Sequence, residues 1–243
     1  MSTITLLGTG TCQIEHERRA SSVLLDLDGT HILFDCGHGI VQRLLDVSVH
    51  PNTVQHIVLS HFHPDHVSDL IPLLQAGAWS RKNQRRTDLH IYGPKGTHKL
   101  IDGYIGIFGR NAFEQPTYAL VIHEISEERF TIDTHTFESA SLPPAGNHGL
   151  RFTYRDKIYA LTGDSYFHSQ EIAFLQGVDL AVIDAGHIED DEIVALAVAS
   201  QAKTLVCSHL YRELDAKQLQ EQATTRNYEG TILVGCDLMV FVL

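Results

Sequence analysis

Three histidines and one aspartate are crowded into a single short stretch, His61-Phe62-His63-Pro64-Asp65-His66. The stretch follows an apolar run at residues 56–59 that has the character of a strand. Its His and Asp side chains, at offsets 0, 2, 4 and 5, fit neither one helix face nor one strand face, so we predict a loop folded around a bound group. Imidazole and carboxylate groups bind Zn²⁺ and similar ions, and the two sides of a loop can serve two adjacent ions. A solvated turn rich in histidine is disfavoured, because it would waste clustered polar groups.

The elements that must position these residues follow from apolar alternation and helical spacing. Asp28-Gly29 predicts a two-residue hairpin turn between two of the strands. We predict that strands 118–124, 129–134 and 136–141 are antiparallel and that strands 231–235 and 238–243 form a pair. Further strands are predicted at residues 3–7, 22–27, 30–35, 56–59, 88–92, 150–154, 157–162, 178–183 and 204–207. Helices are predicted at residues 40–47, 69–78, 191–202 and 215–224 and within a glycine-rich segment at 97–119, to which the sequence assigns no chemistry.

The spacing His61-x-His63-x-Asp65-His66 after a hydrophobic strand resembles the signature of the metallo-β-lactamase superfamily. Residues 6–10, 19–25 and 32–37 are similar to the start of its ribonuclease Z and phosphodiesterase branch. The resemblance implies an α+β fold, the four-layer αβ/βα sandwich with a one- or two-metal site between its sheets. Because no linker, repeat or low-complexity tract interrupts the chain, we expect a single domain over residues 1–243.

The resemblance also implies metal ligands later in the chain. Asp164, after a predicted strand, resembles the bridging aspartate of the family, and His209 resembles its last histidine ligand. The implied cofactors are two divalent ions, with Zn²⁺ first and Mn²⁺ or iron as alternatives. The implied assignment is His61, His63 and His148 on one ion, Asp65, His66 and His209 on the other, and Asp164 between them.

His148 enters this set as a replacement. The family places a histidine before the strand at 150–154, and the expected position falls on Pro143 or Pro144. A loop rich in proline and glycine can be rerouted to present His148 instead, and the alternative is that His148 contacts substrate. If His148 is not a ligand, a mononuclear centre becomes a plausible alternative.

Two residues are candidates for proton transfer. Asp65 is placed to hold the attacking water or take its proton, and His187 is the candidate donor to the leaving group. Asp184 and His187 are the nearest counterparts of a Glu and a later His in ribonuclease Z, although their spacing departs from that pattern. Asp35 has two interpretations, a group that orients the metal ligands or a carboxylate in the turn before a helix.

The overall composition limits the kinds of binding partner that we expect. A net charge of −12 disfavours nonspecific binding to nucleic acid or to an anionic membrane, and no apolar run approaches the length of a membrane span. The dense basic run at residues 81–86 is interpreted as a solvated loop or as a rim that faces phosphate. No basic-apolar leader precedes Thr3, and the four cysteines form no C-x-x-C pair, so we expect reduced thiols in a cytoplasmic protein. Cys36, Cys207 and Cys236 end apolar runs and are predicted to pack in the core.

The favoured function is a metal-dependent hydrolase, a phosphodiesterase that acts on a small or nucleotide-type phosphodiester. A tRNA 3′-processing endoribonuclease is an alternative, but the long arm with which many ribonuclease Z proteins grip tRNA has no counterpart here, so RNA is not favoured. Arylsulfatase-like and lactonase activities are further enzyme alternatives. A non-catalytic metal-binding module is the alternative of another class. A homodimer is a further expectation from the family.

Overall fold

The fourteen β-strands of this chain are divided equally between two sheets. The computed structural model describes residues 1–243. The strands are β1 Thr3–Gly8, β2 Ser22–Leu27, β3 Thr30–Phe34, β4 His56–Val58, β5 Leu89–Gly93, β6 Leu120–Glu124, β7 Arg129–Ile132, β8 His135–Leu142, β9 Asn147–Tyr154, β10 Lys157–Leu161, β11 Leu180–Asp184, β12 Thr204–Ser208, β13 Thr231–Val234 and β14 Met239–Val242. The α-helices are α1 Ile40–Asp46, α2 Pro64–Val67, α3 Leu70–Trp79, α4 Thr97–Phe108, α5 Ser169–Leu175, α6 Asp190–Ser200 and α7 Ala216–Thr225.

Residues 1–125 and 237–243 build the first unit of the chain. Its sheet has the order β14-β1-β2-β3-β4-β5-β6, and strands β3 to β6 are parallel to one another. One face of the sheet is covered by α1, α3 and α4, whose buried side chains include Leu44, Leu73 and Ile101. They pack on Leu33 and Ile57 of the neighbouring strands β3 and β4. This packing holds the carboxyl ends of the parallel strands side by side.

Residues 126–236 build the second unit. Its sheet has the order β13-β12-β11-β10-β9-β8-β7, with β10 to β13 parallel and the remaining pairs antiparallel. Buried side chains of α5, α6 and α7, among them Leu175, Leu196 and Leu219, form one apolar cluster with Ile183 and Leu205 of the sheet. The ends of β10, β11 and β12 are thereby held side by side.

The predicted elements are found close to their predicted bounds, and the hairpin at Asp28-Gly29 is confirmed. Both turn residues have positive φ, 53° and 92°, and they join antiparallel β2 and β3. Two predicted strand pairings are wrong. β6 is not antiparallel to its successors but lies parallel to β5, because α4 carries the chain back before β6 begins. β13 and β14 do not pair, since β13 joins β12 and β14 joins β1.

Two predictions about single side chains also need correction. Arg85, from the basic run, is buried rather than solvated or facing phosphate, and its guanidinium donates to the carbonyls of Val54 and Pro51. Cys236 is exposed, whereas Cys36 and Cys207 are buried as predicted, and all four cysteines are free thiols. None of the helices is both long and apolar enough to cross a membrane. The single domain over residues 1–243 stays a prediction.

Candidate metal centre

Site residues of the first unit lie at the carboxyl ends of parallel strands. β3 and β4 pair in the register Phe34 opposite Val58, so the residues that follow the two strands emerge side by side. Asp35 directly follows β3, and the loop of His61 follows β4. Polar groups gather at this edge because the carboxyl ends of parallel strands meet there and the strands themselves are buried.

Asp35 is the structural centre of this group. The carboxylate is fully buried and accepts hydrogen bonds from the backbone N–H of Ser60 at 2.8 Å and from its hydroxyl at 2.7 Å. It also lies 2.8 Å from Nδ1 of His66. An imidazole that donates through Nδ1 presents the lone pair of Nε2 to an electrophile. Asp35 therefore orients His66. It lies in the connection between β3 and α1, but no side chain caps that helix, whose N-cap is Gly39.

The imidazoles of the loop form a tight cluster. The ring centroid of His61 lies 4.2 Å from that of His66 and 4.5 Å from that of His63. His61, His66 and Asp65 are buried, whereas His63 is exposed. Nδ1 of His61 lies 3.0 Å from the Ser60 hydroxyl, which in turn bonds to Asp35. The predicted loop thus gathers all three imidazoles beside two carboxylates.

The local backbone makes this cluster compact. Pro64 occupies the first position of α2, where its missing N–H costs nothing, and α2 begins directly after His63. Gly37 lies so close to the loop that a Cβ there would come within 1.9 Å of the Asp65 carbonyl oxygen. The backbone N–H of Cys36 donates a hydrogen bond of 2.8 Å to the His66 carbonyl, which joins the two chain segments. Glycine at position 37 is therefore required by the close approach of two chain segments.

Site residues of the second unit also lie at the carboxyl ends of parallel strands. β10, β11 and β12 are adjacent parallel strands, and each is followed or ended by a polar site residue. Asp164 lies beyond the end of β10, Asp184 ends β11, and His209 directly follows β12. Glycine at position 186 lets the chain after β11 pass close to His209, since a Cβ at this position would lie 2.1 Å from the His209 carbonyl oxygen.

These residues and His187 form a cluster of four potential metal ligands. Their ligand atoms all lie within 4.8 Å of one another. His209 places Nε2 3.4 Å from an oxygen of Asp164 and Nδ1 3.5 Å from an oxygen of Asp184. His187 stacks on His209 with ring centroids 5.2 Å apart. Asp164 and His209, two of the predicted ligands, are thus neighbours.

Asp184 holds His187 firmly. Nδ1 of His187 lies 2.7 Å from one Asp184 oxygen and 4.0 Å from one of Asp164. The hydrogen bond that His187 donates to Asp184 raises the pKa of His187, against the effect of partial burial. Burial raises the pKa of Asp184, but the side-chain hydrogen bonds of His187 and His209 outweigh it and hold that pKa below the ordinary value. His187 therefore keeps its proton to a higher pH than an ordinary histidine, and Asp184 ionises at a lower pH than an ordinary aspartate.

His148 lies outside this cluster. It belongs to β9, is partly buried, and places Nδ1 3.1 Å from the hydroxyl of Ser139 on the neighbouring strand. Burial lowers its pKa, and nearby Glu127 opposes this change. A neutral imidazole is the form that binds metal, but His148 lies in strand β9 rather than in a rerouted loop and belongs to none of the clusters of potential ligands. Its role as a ligand stays a prediction.

The sequence predicts no metal ligand at Asp184 and gives no indication of the aromatic residues around His187. Tyr166 and Tyr211 both meet the His187 ring edge-on, with centroids 5.7 Å and 5.6 Å away. Asp184 could have been found, because it ends an apolar strand as Asp164 nearly does, and such strands lie parallel and adjacent. The tyrosines carry no local sequence signal.

Both groups of residues fit transition-metal ions. Each combines imidazole nitrogens with carboxylate oxygens, which is the donor set of Zn²⁺ and related ions. Most of these side chains are buried, and a buried cluster of titratable groups whose ligand atoms lie within 4.8 Å of one another is stabilised when a cation neutralises the carboxylates. In the first unit, Asp35 supplies the outer hydrogen bond that metal-binding histidines typically make.

A sequence family described as “Beta-lactamase superfamily domain” matches residues 30–224. Among curated proteins, ribonuclease Z of Thermococcus onnurineus is 30% identical over 158 residues, which are 65% of this chain and 48% of that protein. The chain thus spans about half the length of the curated relatives it matches.

Two solved structures resemble this chain over its whole length. The metallo-β-lactamase fold protein YhfI from Bacillus subtilis has a TM-score of 0.81 at 21% identity, covering 99% of this chain and 98% of its own. A diphosphatase from the PhnP family has a TM-score of 0.74 at 19% identity, covering 100% and 98%. At this identity the likeness concerns the fold, and it confirms the predicted α+β metallo-β-lactamase fold class.

Proposed function

The chain belongs to the β-lactamase superfamily, and on that premise we propose that it is a metal-dependent hydrolase of small or nucleotide-type phosphodiesters. The observation that carries the proposal is the cluster of Asp164, Asp184, His187 and His209, whose possible ligand atoms all lie within 4.8 Å of one another. Asp164 and His209 are assigned to the metal ions, and His187 and Asp184 to proton transfer. The imidazole cluster of His61, His63 and His66 supports it from the first unit.

The proposed cofactors are two divalent ions, with zinc favoured by the mixed nitrogen and oxygen donors. When bound, such ions supply Lewis acidity that activates water and stabilises anionic oxygens of the substrate. The proposal assigns His61, His63 and His148 to one ion, Asp65, His66 and His209 to the other, and Asp164 to both. Free cysteines support a reducing, cytoplasmic location, and a homodimer remains part of the proposal.

Proton transfers are assigned to residues of this chain. Asp65 is the proposed acceptor of the proton from the attacking water. His187 is the proposed donor to the leaving oxygen, and Asp184 holds its ring through the 2.7 Å hydrogen bond to Nδ1. The donating atom is then Nε2. Tyr166 and Tyr211 limit the directions in which this ring can turn.

The test is hydrolysis of bis-p-nitrophenyl phosphate by the purified chain. We expect turnover that a chelator abolishes and that added Zn²⁺ or Mn²⁺ restores. Tightly bound metal without turnover of phosphodiester, sulfate or lactone probes would instead identify a non-catalytic metal-binding protein.

Cleavage of precursor tRNA is the second candidate function, favoured by the sequence similarity to ribonuclease Z. The net charge of −12 opposes binding to a polyanion. The same preparation should be given precursor tRNA and a dinucleotide. Faster cleavage of the tRNA, measured as kcat/KM, would replace the small substrate with RNA.

A further inference from the structure

An open groove lies beside the metal loop of the first unit. It encloses about 540 Å³ and is walled by Phe62, Leu100, Tyr104 and Ile107. Phe62 stands between His61 and His63 in the chain, so one wall of the groove belongs to the loop that carries the proposed ligands. Pockets for small molecules have volumes of about 300–1,000 Å³.

The walls are aromatic and aliphatic, but the rim is cationic. Lys95 and Lys99 both line the groove and are exposed, and they lie one helical turn apart around the start of α4. In a chain of net charge −12, two ammonium groups at one apolar groove are a local excess of positive charge, which the Glu124 carboxylate bonded to the Gly96 N–H offsets only in part. Charge complementarity therefore selects an anionic molecule with a planar apolar part.

The helix wall leaves room for such a molecule. Gly103 of α4 lines the groove, and a Cβ added there would meet no atom of this chain within 4 Å. Gly106 is equally open but does not line the groove. The two glycines give a matched pair of positions on one helix, at which the same side chain would fill the groove or leave it open.

We propose that this groove binds the nucleoside part of an anionic phosphodiester, with the base against Phe62 or Tyr104 and with the two lysines offsetting the negative charge of the ligand. Bases stack on aromatic side chains with little regard to sequence. This proposal rests on the proposed function, because it names the substrate class for the metal loop that Phe62 adjoins.

The experiment measures binding of thymidine 5′-monophosphate, the product of such a reaction, by calorimetry on the chelated protein. We expect the wild type to bind and Gly103→Leu to weaken binding at least about tenfold, since a stacked base is lost. Gly106→Leu should bind as the wild type does. Both variants should melt at or above the wild-type temperature, because leucine is the better helix former.

A second pair of variants tests the proposal even if Gly103→Leu misfolds. Lys99→Ala should weaken binding of the nucleotide, whereas Lys217→Ala, at an exposed lysine of α7 outside the groove, should not. Equal binding by all four variants, or no binding by the wild type, would overturn the proposal. A change of oligomeric state in Gly103→Leu alone, without a change in nucleotide binding, would also overturn it and assign the groove to a second copy of the chain.

Hydrolysis of bis-p-nitrophenyl phosphate separates this proposal from the proposed function. If the wild type binds the nucleotide through the groove but never hydrolyses the ester, the proposed function fails and nucleotide binding stands. If the ester is hydrolysed with metal but nucleotide binding is absent, only the groove proposal fails.

Discussion

Asp35 accepts a hydrogen bond of 2.8 Å from Nδ1 of His66 while its other oxygen accepts one from the Ser60 backbone, so one buried carboxylate ties the end of β3 to the metal loop. The first prediction follows from this contact. Asp35→Asn should lower the affinity for zinc about 10- to 100-fold, because His66 loses the group that fixes its tautomer. Competition with a chromophoric chelator measures the affinity.

The control for this variant is Asp46→Asn, which removes a surface carboxylate bonded to Arg43. Its zinc affinity should equal that of the wild type. Equal affinities for all three proteins would show that Asp35 has only a structural role in the loop.

Asp164→Ala should abolish turnover and remove at least about half of the bound metal, because Asp164 is assigned to both ions. Elemental analysis of the dialysed protein gives the metal content. Asp191→Ala, at an exposed position in the first turn of α6, should change neither quantity. Full metal and full activity in Asp164→Ala would remove this residue from the bridge.

His148→Ala tests the replacement of the missing family histidine. If His148 is a ligand, metal content should fall from close to two ions per chain towards one, since one ion loses a protein ligand. His135→Ala removes a histidine from the neighbouring strand β8 and should have no effect. An unchanged metal content in His148→Ala would remove this residue from the ligands and favour the alternative, in which His148 contacts substrate.

The order of strands and helices, apart from the short helices α2 and α5, could be predicted because alternation and helical spacing are local properties. Strand partners could not, since β6 and β13 alternate like their neighbours in sequence while their partners are set by the crossovers that precede them. The prediction for the basic run at residues 81–86 was wrong for Arg85 for a similar reason. The sequence shows the charge of Arg85, but the carbonyls of Val54 and Pro51 that accept hydrogen bonds from its guanidinium lie about thirty residues earlier in the chain.

The candidate site was predictable to the extent that its residues end strands. The loop of His61 and the positions of Asp164 and His209 follow that rule, and the structure places Asp164 and His209 within 3.4 Å of each other. The groove at Phe62 could not be predicted, because it is formed by the open face of α4 rather than by a motif.

His187→Gln should affect substrates according to their leaving groups. An alkoxide leaves only with a proton, so hydrolysis of a dinucleotide should slow by about 100-fold or more, whereas p-nitrophenolate needs little help. The kcat for the two substrates gives the comparison. His168→Gln, at an exposed histidine that precedes α5, should leave both rates unchanged. An equal loss for both substrates would show that His187 acts on metal binding rather than on the leaving group.

Glu171 of α5 predicts a pH dependence of stability. Its side chain is fully buried, and burial raises its pKa to about 8, with a further increase from Asp184 and an opposing effect of the Ser165 hydroxyl. The unfolded chain releases this proton near the ordinary value of 4.5, but the folded chain keeps it until about pH 8. The contribution of Glu171 to the free energy of unfolding should therefore decrease by about 1.4 kcal/mol per pH unit between these values.

Glu171→Gln removes this dependence, because an amide does not titrate in the range. Urea unfolding of the chelated protein at pH 5 and pH 8 should show that the wild type loses several kcal/mol more between the two than Glu171→Gln does, as order of magnitude. Glu229→Gln, at an exposed position, should follow the wild type. If Glu171→Gln and the wild type lose the same free energy from pH 5 to pH 8, the carboxyl of Glu171 is ionised in the folded chain and some contact in the second unit stabilises its charge.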